Sequence, residues 1–450
     1  MKIKLLSLII IACFSYNLQA QFKLDAQYRI RGQVLHGYKK PVAKNVDPAI
    51  HVGQRTRLNL HYKNNFIHSL LSIQDVRVWG DENIVNPTGV KGKSHNNLDI
   101  YEAWIQFKTG EHSSLKIGRQ ELKYDDQRHI SWRNWWNHGQ AYDAVTYSYK
   151  NKNSGWQIDM SASYNSKAEN LTGNDYSDGT DYFGNVNPIL THNFVYLKKS
   201  LNPQTYISLL GIGAGYQKEG TKNVIYMTYT EGIHINYNMT RKAKDGIFAK
   251  ANAFIQNGNN INGNKINAHM ITALVGYRTM QKKLELYAGF EKLSGNDAYN
   301  SDPDYKKTDH TYNLLYGGRH PYYEGYMDWF VVPKSSLFAG IQTISANIKY
   351  KLSKKDIIKL GYNYVAAGNN IIKRKPDGSI AIKVDKGYNL AQVIDVTYIK
   401  KIQKIITLHS GISYGQASDA FNKMKGVSDP GTNYFAYIML TVKPTFFTTK

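Results

Sequence analysis

Polar and apolar residues alternate one by one along most of this 450-residue chain, and a period of two excludes most ways of building a core. In GWQIDMSASYN, Trp156, Ile158, Met160, Ala162 and Tyr164 point one way and Gln157, Asp159, Ser161, Ser163 and Asn165 the other. In RTRLNLHY, Arg55, Arg57, Asn59 and His61 alternate with Thr56, Leu58, Leu60 and Tyr62. Near the start, Lys23, Asp25, Gln27, Arg29 and Arg31 oppose Phe22, Leu24, Ala26, Tyr28 and Ile30. Successive side chains of a β-strand leave opposite faces, so these stretches are strands with one polar and one apolar side. Beyond the first residues, no run approaches the roughly 18 consecutive apolar residues of a membrane-crossing helix. Two all-β solutions remain, a large soluble protein and a membrane barrel.

Connection lengths choose between them. The alternation marks eighteen strands, from 22–35 to 432–443. Most exceed the usual globular strand of about 5–6 residues and suffice for a tilted membrane crossing of about 9–11. KNN (63–65), TGEH (109–112), NKNS (151–154), TMQKK (279–283) and KLSKKD (351–356) follow even-numbered strands. Longer segments follow odd-numbered ones, the longest between Gly295 and Leu337. Tight turns on one rim and long loops on the other predict an all-β transmembrane antiparallel β-barrel of about 18 strands, with short periplasmic turns and long extracellular loops. Both termini then lie on the short-turn side, and closure removes the unpaired edges that long strands otherwise expose. The 35 tyrosines suit girdles where a ring meets lipid and its hydroxyl meets water. One domain is expected over residues 21–450.

Residues 1–20 read as a secretory signal. Lys2 and Lys4 precede the short apolar stretch LLSLIIIACF (5–14), and Ala20 offers a cleavage site. IIAC (10–13) loosely fits a lipoprotein processing site, but cleavage there leaves an unusually short signal. The only cysteine, Cys13, departs with the signal, which excludes disulfides and thiolate chemistry from the mature chain. The 57 Lys+Arg against 34 Asp+Glu give a formal charge of +23 and point to an anionic partner. Export and the lack of a helical basic region or zinc spacing argue against nucleic acid.

One segment concentrates chemistry. GRQELKYDDQRHISWRNWW (118–136) sets Arg119, Arg128 and Arg133 beside Asp125 and Asp126, with Trp132, Trp135 and Trp136 behind. It falls at the top of the fifth strand and in the following long loop, and in a wide barrel a loop of this size can fold inward and narrow the lumen. Guanidiniums there are always-ionised forks for carboxylates, and the aspartates would hold them in place. The indoles would either anchor and pack the loop or stack on sugar faces. Arg29, Arg31, Arg55 and Arg57 share the polar strand face with Gln27 and Asn59 and are expected to line the lumen.

The stretch GRQELKYDDQRHISWRNWWNHGQAYDAV (118–145) resembles a strand–loop–strand segment of the alginate export family, outer-membrane porins for acidic polysaccharide. LSGND (293–297) followed by LYGGRHPYYEGYMDWF (315–330) is similar to that family's large-loop pattern, and the likeness follows the mature chain nearly end to end in order and spacing. The resemblance implies a monomeric eighteen-stranded barrel whose arginine-rich lumen passes a polyuronate. It places Arg119, Asp126 and Arg128 near the constriction, and gives Arg319, His320 and Asp328 a structural role in the large loop. The implied partners are an anionic polysaccharide, outer-membrane lipid and lipopolysaccharide, and a periplasmic export partner. The chain departs from the usual aromatic last residue of such barrels, running past YFAYIMLTVKP to FFTTK.

Other signals are bland. GIGAGY (211–216) lacks a following helix pattern and reads as a glycine bend, not a dinucleotide site. PDG (376–378) is a turn. The oxygen-rich loops 174–185 and 294–304 lack EF-hand spacing but leave calcium open as an alternative to no cofactor. Neither HExxH nor GxSxG is present, so no enzyme is expected. A secreted all-β enzyme acting on acidic glycans and an unselective structural barrel are the competing functions.

Overall fold

The computed structural model describes residues 20–80, 98–165, 189–218, 221, 224–241, 243–315, 317–318 and 323–449. Eighteen antiparallel strands close into one barrel. They are β1 (Gln21–His36), β2 (Ala49–Lys63), β3 (Ile67–Val78), β4 (Leu98–Lys108), β5 (Ser113–Gln120), β6 (Tyr142–Asn151), β7 (Trp156–Ala162), β8 (Ile189–Ser200) and β9 (Thr205–Gln217). Next come β10 (Ile225–Asn238), β11 (Gly246–Gly258), β12 (Ala268–Thr279), β13 (Leu284–Leu293), β14 (Ile341–Lys351), β15 (Asp356–Ala367), β16 (Asn389–Lys401), β17 (Ile406–Ala417) and β18 (Asn433–Val442). Each strand pairs with its sequence neighbours, and β18 returns to β1 with Tyr28 opposite Val442 and His36 opposite Tyr434. The predicted count and the strict order of short turns and long loops both hold.

Several boundaries shift, three of them for a clear local reason. β5 stops at Gln120, where the chain turns inward, and β7 stops at Ala162, leaving Tyr164 as an isolated bridge to Thr191. The last crossing breaks at Pro444, which has no N–H to donate to a ladder. Pro444 still accepts from the Ala26 N–H at 3.0 Å, and Thr445–Thr448 resumes the pairing with β1. The segment past YFAYIMLTVKP is therefore part of the seam. Two long-loop features have no signal in the alternation: a hairpin of Ile371–Arg374 and Ile380–Val384, and a short helix over Asp419–Met424 whose Ser418 cap accepts from the Phe421 N–H.

Face assignment follows the parity of the sequence. Leu58, Leu60, Leu71, Ile73, Val145, Val195, Leu209, Ile255, Ile271, Val275, Ile344 and Ile438 are all exposed on the outer wall. In water such a surface would be an aggregation liability, whereas against acyl chains it is the required apolar band. Phe22, Phe66, Trp156, Tyr237, Tyr277, Phe446 and Phe447 add exposed aromatics near the short-turn rim, the belt position of amphipathic rings.

The interior has two halves. Towards the short turns the inner wall is polar. Towards the long loops, inward residues such as Phe194, Ile212, Met270, Leu293, Ile341 and Phe435 are buried against Ile130, Tyr312, Met327, Trp329 and Phe421 from the loops. The hydrophobic core of this protein thus lies inside the barrel and is built between wall and loops.

Replacing Val275, outward and exposed near the middle of β12, by Arg is expected to cost about 2–4 kcal/mol of folding stability in lipid vesicles. Arg at the adjacent inward Leu274 is expected to cost much less. Denaturant titration in vesicles compares the two, and equal losses would contradict the assignment of faces.

Candidate functional site in the lumen

Cross-strand pairing sets Arg29 directly opposite Arg55, Gln27 opposite Arg57, and Arg31 opposite Gly53. Like charges facing each other across a ladder repel, so the donors of this wall need strong acceptors. They find them in the backbone of the 121–141 loop. Arg29 donates through Nη1 to the Asn134 carbonyl at 2.5 Å, and through Nη2 to the Trp136 carbonyl at 2.6 Å and Asn137 Oδ1 at 3.0 Å. Arg31 donates to the Trp135 carbonyl at 3.0 Å. Arg55, fully buried, reaches the Trp136 and Asn137 carbonyls at 3.3 and 3.2 Å, Asn134 Oδ1 at 2.9 Å, and Gln27 Oε1. Arg57 donates to the His138 carbonyl at 2.9 Å and to Gln74 Oε1 at 3.0 Å, with its guanidinium 3.2 Å from the centre of the Tyr101 ring. All four arginines therefore point inward, and all four grip the loop.

The other end of the loop is tied across the lumen. Asp125 accepts from the Tyr196 hydroxyl at 2.8 Å and the Ser208 hydroxyl at 2.7 Å, on β8 and β9. Asp126 accepts from Asn252 Nδ2 at 2.9 Å on β11, about half-way round the barrel from the arginine wall. Burial opposes ionisation of Asp126, but the Arg128 charge, His234, Lys250 and the Asn252 hydrogen bond outweigh it and hold its pKa below the usual carboxylate range. Arg128 pairs with Glu291 on β13 and stacks its guanidinium 3.5 Å from the Tyr323 ring centre.

The two large loops are joined to each other. Arg133 donates to the Gly317 carbonyl at 2.9 Å and the Leu315 carbonyl at 3.1 Å. The His129 ring lies 2.7 Å from the Tyr312 hydroxyl, and the Gly318 N–H donates to the Gln127 carbonyl at 2.6 Å. A side chain at Gly317 would collide with the Arg128 carbonyl, so only glycine lets these backbones meet. Trp135 packs edge-on against Tyr326 and Tyr437, with centroids 5.1 and 5.0 Å away, and Trp132 lies under the Lys123 ammonium at 3.8 Å. These two indoles pack within the protein.

Arg119 corrects an expectation. It shares parity with Leu115 and Ile117, faces the outer side of the wall at the long-loop rim, and binds Asp143 in bidentate fashion at 2.9 and 2.8 Å. One residue of parity on β5 separates it from the buried, inward Gln120, and it borders the same loop-lined cavity as Arg133 and His138. Asp328 is buried in the large loop, between Met327 and Trp329 of the interior core. Arg319, His320 and the oxygen-rich 174–185 stretch lie outside the described residues. Among the described residues no group of three or more His, Cys, Asp or Glu is placed to hold a metal ion, and that includes 294–304.

Two cavities border the described loops. One, of about 540 Å³, has Tyr101, Arg133, Trp136, His138 and Tyr142 in its lining. The other, of about 440 Å³, lies under Asp126, Arg128 and Tyr326 and reaches Lys250 and Lys359. Those lysines were not singled out from the sequence, although Lys250 shares parity with Asn252, and Lys359 with Asn363, on the polar strand faces.

Outer apolar band, closed ladder and inward-folded loops define the class: an outer-membrane β-barrel with the porin fold. The model of the alginate export family matches residues 20–192, in line with the resemblance carried by residues 118–145. The fold is shared with solved porins at low identity. Pseudomonas aeruginosa OpdK superposes with a TM-score of 0.56 at 9% identity, covering 95% of this chain and 99% of its own. Acinetobacter baumannii OccAB4 gives 0.61 at 10%, covering 94% and 98%, and Pseudomonas aeruginosa OccK9 gives 0.59 at 10%, also covering 94% and 98%. No curated protein matches the chain in sequence.

Two tests follow from the loop geometry. Arg55→Ala removes donors to three loop acceptors. Hydrogen bonds from a charged group contribute about 1.5–3 kcal/mol, so amide exchange over 134–138 is expected to quicken by roughly 10- to 100-fold. Unchanged exchange would show that the clamp is not what holds the segment. The second concerns His129, whose pKa burial pushes down to about 3. The folded loop holds it neutral, so its contribution is intact above the unfolded value of about 6.5 and is lost progressively as pH falls towards 3. Protection factors over 127–131, corrected for the intrinsic pH dependence of exchange, should fall across that window, and His129→Gln should flatten the fall.

Proposed function

We propose that this protein is a passive outer-membrane channel for an anionic polysaccharide or oligosaccharide of the polyuronate type, selective by charge and without catalytic activity. The observation that carries the proposal is the electrostatic state of the arginine wall. Its hydrogen bonds end on neutral carbonyls and amides, which satisfy the donors without cancelling the charge. Among the described residues, no carboxylate pairs with Arg29, Arg31 or Arg55 within 4.0 Å, and Arg57 has only Glu121 at 3.8 Å. Burial and the nearby Glu102 push the Glu121 carboxyl upward, although the Tyr101 hydrogen bond and Arg57 counter this, which weakens even that compensation. A cluster of uncancelled cations in a low-dielectric wall focuses a positive potential into the lumen and raises the local concentration of anions.

Passage also requires that no site hold the polymer too firmly. Guanidiniums already engaged by the loop attract a polyanion through their field without offering every donor for bidentate capture. That favours conduction over trapping. A monomer in contact with outer-membrane lipid and lipopolysaccharide, supplied by a periplasmic partner, completes the functional picture.

Reversal potentials in planar bilayers test this. The purified protein is expected to prefer anions, and a polyuronate should reduce the current. Arg55→Glu combined with Arg57→Glu should abolish or reverse the preference. A cation-selective wild type, or one that forms no conducting pore, would refute the channel function.

A further inference from the structure

The hairpin at 371–384, between β15 and β16, has two unlike faces. Ile371, Ile382 and Val384 are buried and belong to the same apolar cluster as the inward Val365 of β15, Leu390 of β16 and Phe421 of the short helix. Ile371 pairs with Val384 and Lys373 with Ile382, which fixes the register. The base of the hairpin is tied to the large loop. Tyr299 donates its hydroxyl to Asp385 at 2.6 Å, Asn370 Nδ2 donates to Asp297 at 2.9 Å, and the Lys386 N–H donates to Asn370 Oδ1 at 2.8 Å. This hairpin is therefore seated on the interior core, over the long-loop mouth, and not on the lipid-facing wall.

The remaining face is cationic. Lys373, Arg374, Lys375, Lys383 and Lys386 are all exposed, against two carboxylates, Asp377 and Asp385. Asp377 is occupied by the Ser379 N–H at 2.9 Å and the Ser379 hydroxyl at 2.6 Å, and Asp385 by Tyr299. Among the described residues none of the five cations forms an ion pair; Arg374 donates to the Gly378 carbonyl at 3.0 Å, and Lys383 lies 5.2 Å from the Tyr299 ring centre. The excess survives when the packed neighbours are added. The stretches 297–307 and 419–425 bring Asp297, Asp302, Asp304 and Asp419 with Lys306, Lys307, Lys423 and Lys425, so cations still outnumber carboxylates nine to six. A surface that only keeps a protein soluble intersperses the two signs. Here one short element gathers a single sign, and its buried face holds those charges in a fixed place.

We propose that the cationic face of this hairpin is a docking strip for an acidic polysaccharide at the long-loop mouth, outside the lumen and separate from the arginine wall. The strip rests on the channel function proposed above and adds a second place of contact, one that acts on encounter and not on passage. Fixed cations beside an opening raise the rate at which a polyanion arrives. Each exposed pair is weak in water, so the polymer is also released readily. Lipopolysaccharide phosphates are the other anions at this membrane face, but they lie beside the outer wall, whereas the hairpin sits over the interior.

Single-channel recording with a short galacturonate oligomer tests the strip. Added on the long-loop side, the oligomer should block wild-type current, and a neutral maltose oligomer of equal length should not. Combining Lys373→Gln, Arg374→Gln and Lys375→Gln removes three exposed charges and leaves the buried face intact. The frequency of block from the long-loop side is expected to fall by about tenfold at low salt, the joint effect of three weak contacts. The duration of each block, the frequency from the short-turn side and the anion preference should not change. In about 1 M salt, where the screening length is about 3 Å, the difference should vanish. Lys373→Arg with Lys375→Arg should behave as wild type, and Lys383→Gln with Lys386→Gln, on the other strand, should lower the frequency independently. Heat-dependent electrophoretic mobility checks that each variant is a folded barrel. An unchanged frequency in both Gln variants, an equal fall from the two sides, or no block of an anion-selective wild type overturns the strip and leaves the channel standing. A triple variant that blocks normally but no longer binds lipopolysaccharide assigns these cations to lipid and overturns it too. Should the wild type conduct nothing, the channel function fails, and calorimetric titration of the detergent-solubilised protein with the same oligomer decides the strip. Weaker binding by the triple variant supports it, and equal binding or none overturns it.

Discussion

The contacts between the guanidiniums of β1 and β2 and the carbonyls of residues 134–138 organise the interior of this barrel. Arg29 and Arg55 face each other across the ladder, an arrangement that opposes strand pairing unless both find acceptors. The loop supplies them as backbone carbonyls, and in return its own buried polar backbone is satisfied without secondary structure. Because carbonyls carry no formal charge, the wall stays positive after its hydrogen bonds are made, so one set of contacts fixes the loop and leaves the field in place.

From this anchor the loop reaches β8, β9 and β11 through Asp125 and Asp126 and meets the large loop at Arg133, His129 and Gly317. The result inverts an ordinary globular protein. Apolar residues face outward to lipid along the strands and also inward, towards the long loops, where Met270, Leu293 and Phe435 pack against Met327, Trp329 and Phe421. Polar groups dominate the inner wall near the short turns, and a few, such as Thr311, Ser336, Asn422 and Asn433, are buried towards the long loops. Constriction here is a packed hydrophobic interface pinned by charge-assisted hydrogen bonds, so a loop substitution would alter lumen shape and barrel stability together.

Much of this was legible in the chain. Side chains of a strand alternate with a period of two, so the inward direction of Arg29, Arg31, Arg55 and Arg57 could be read from Gln27 and Asn59 beside them. What the arginines touch could not be read, because that depends on where some twenty residues without periodicity come to rest. Arg119 shows the reverse error. Its parity with Leu115 and Ile117 already placed it outside, and the family-like motif around it suggested otherwise. The PDG turn at 376–378 was visible, yet the hairpin it closes was not, since strands of four and five residues carry too little alternation to stand out. Lys250 and Lys359 were on polar faces from the start.

The seam between β1 and β18 has a temporal meaning. The first strand cannot find its second neighbour until residues 433–448 exist, more than four hundred positions later, and every earlier stage exposes two unpaired strand edges. Such long-range pairing is slow, because the entropy of joining distant segments must be overcome before the contacts form. A chain built this way must be kept from pairing with its neighbours until it is whole, and closure of the cylinder is necessarily a late event, completed around the bend at Pro444.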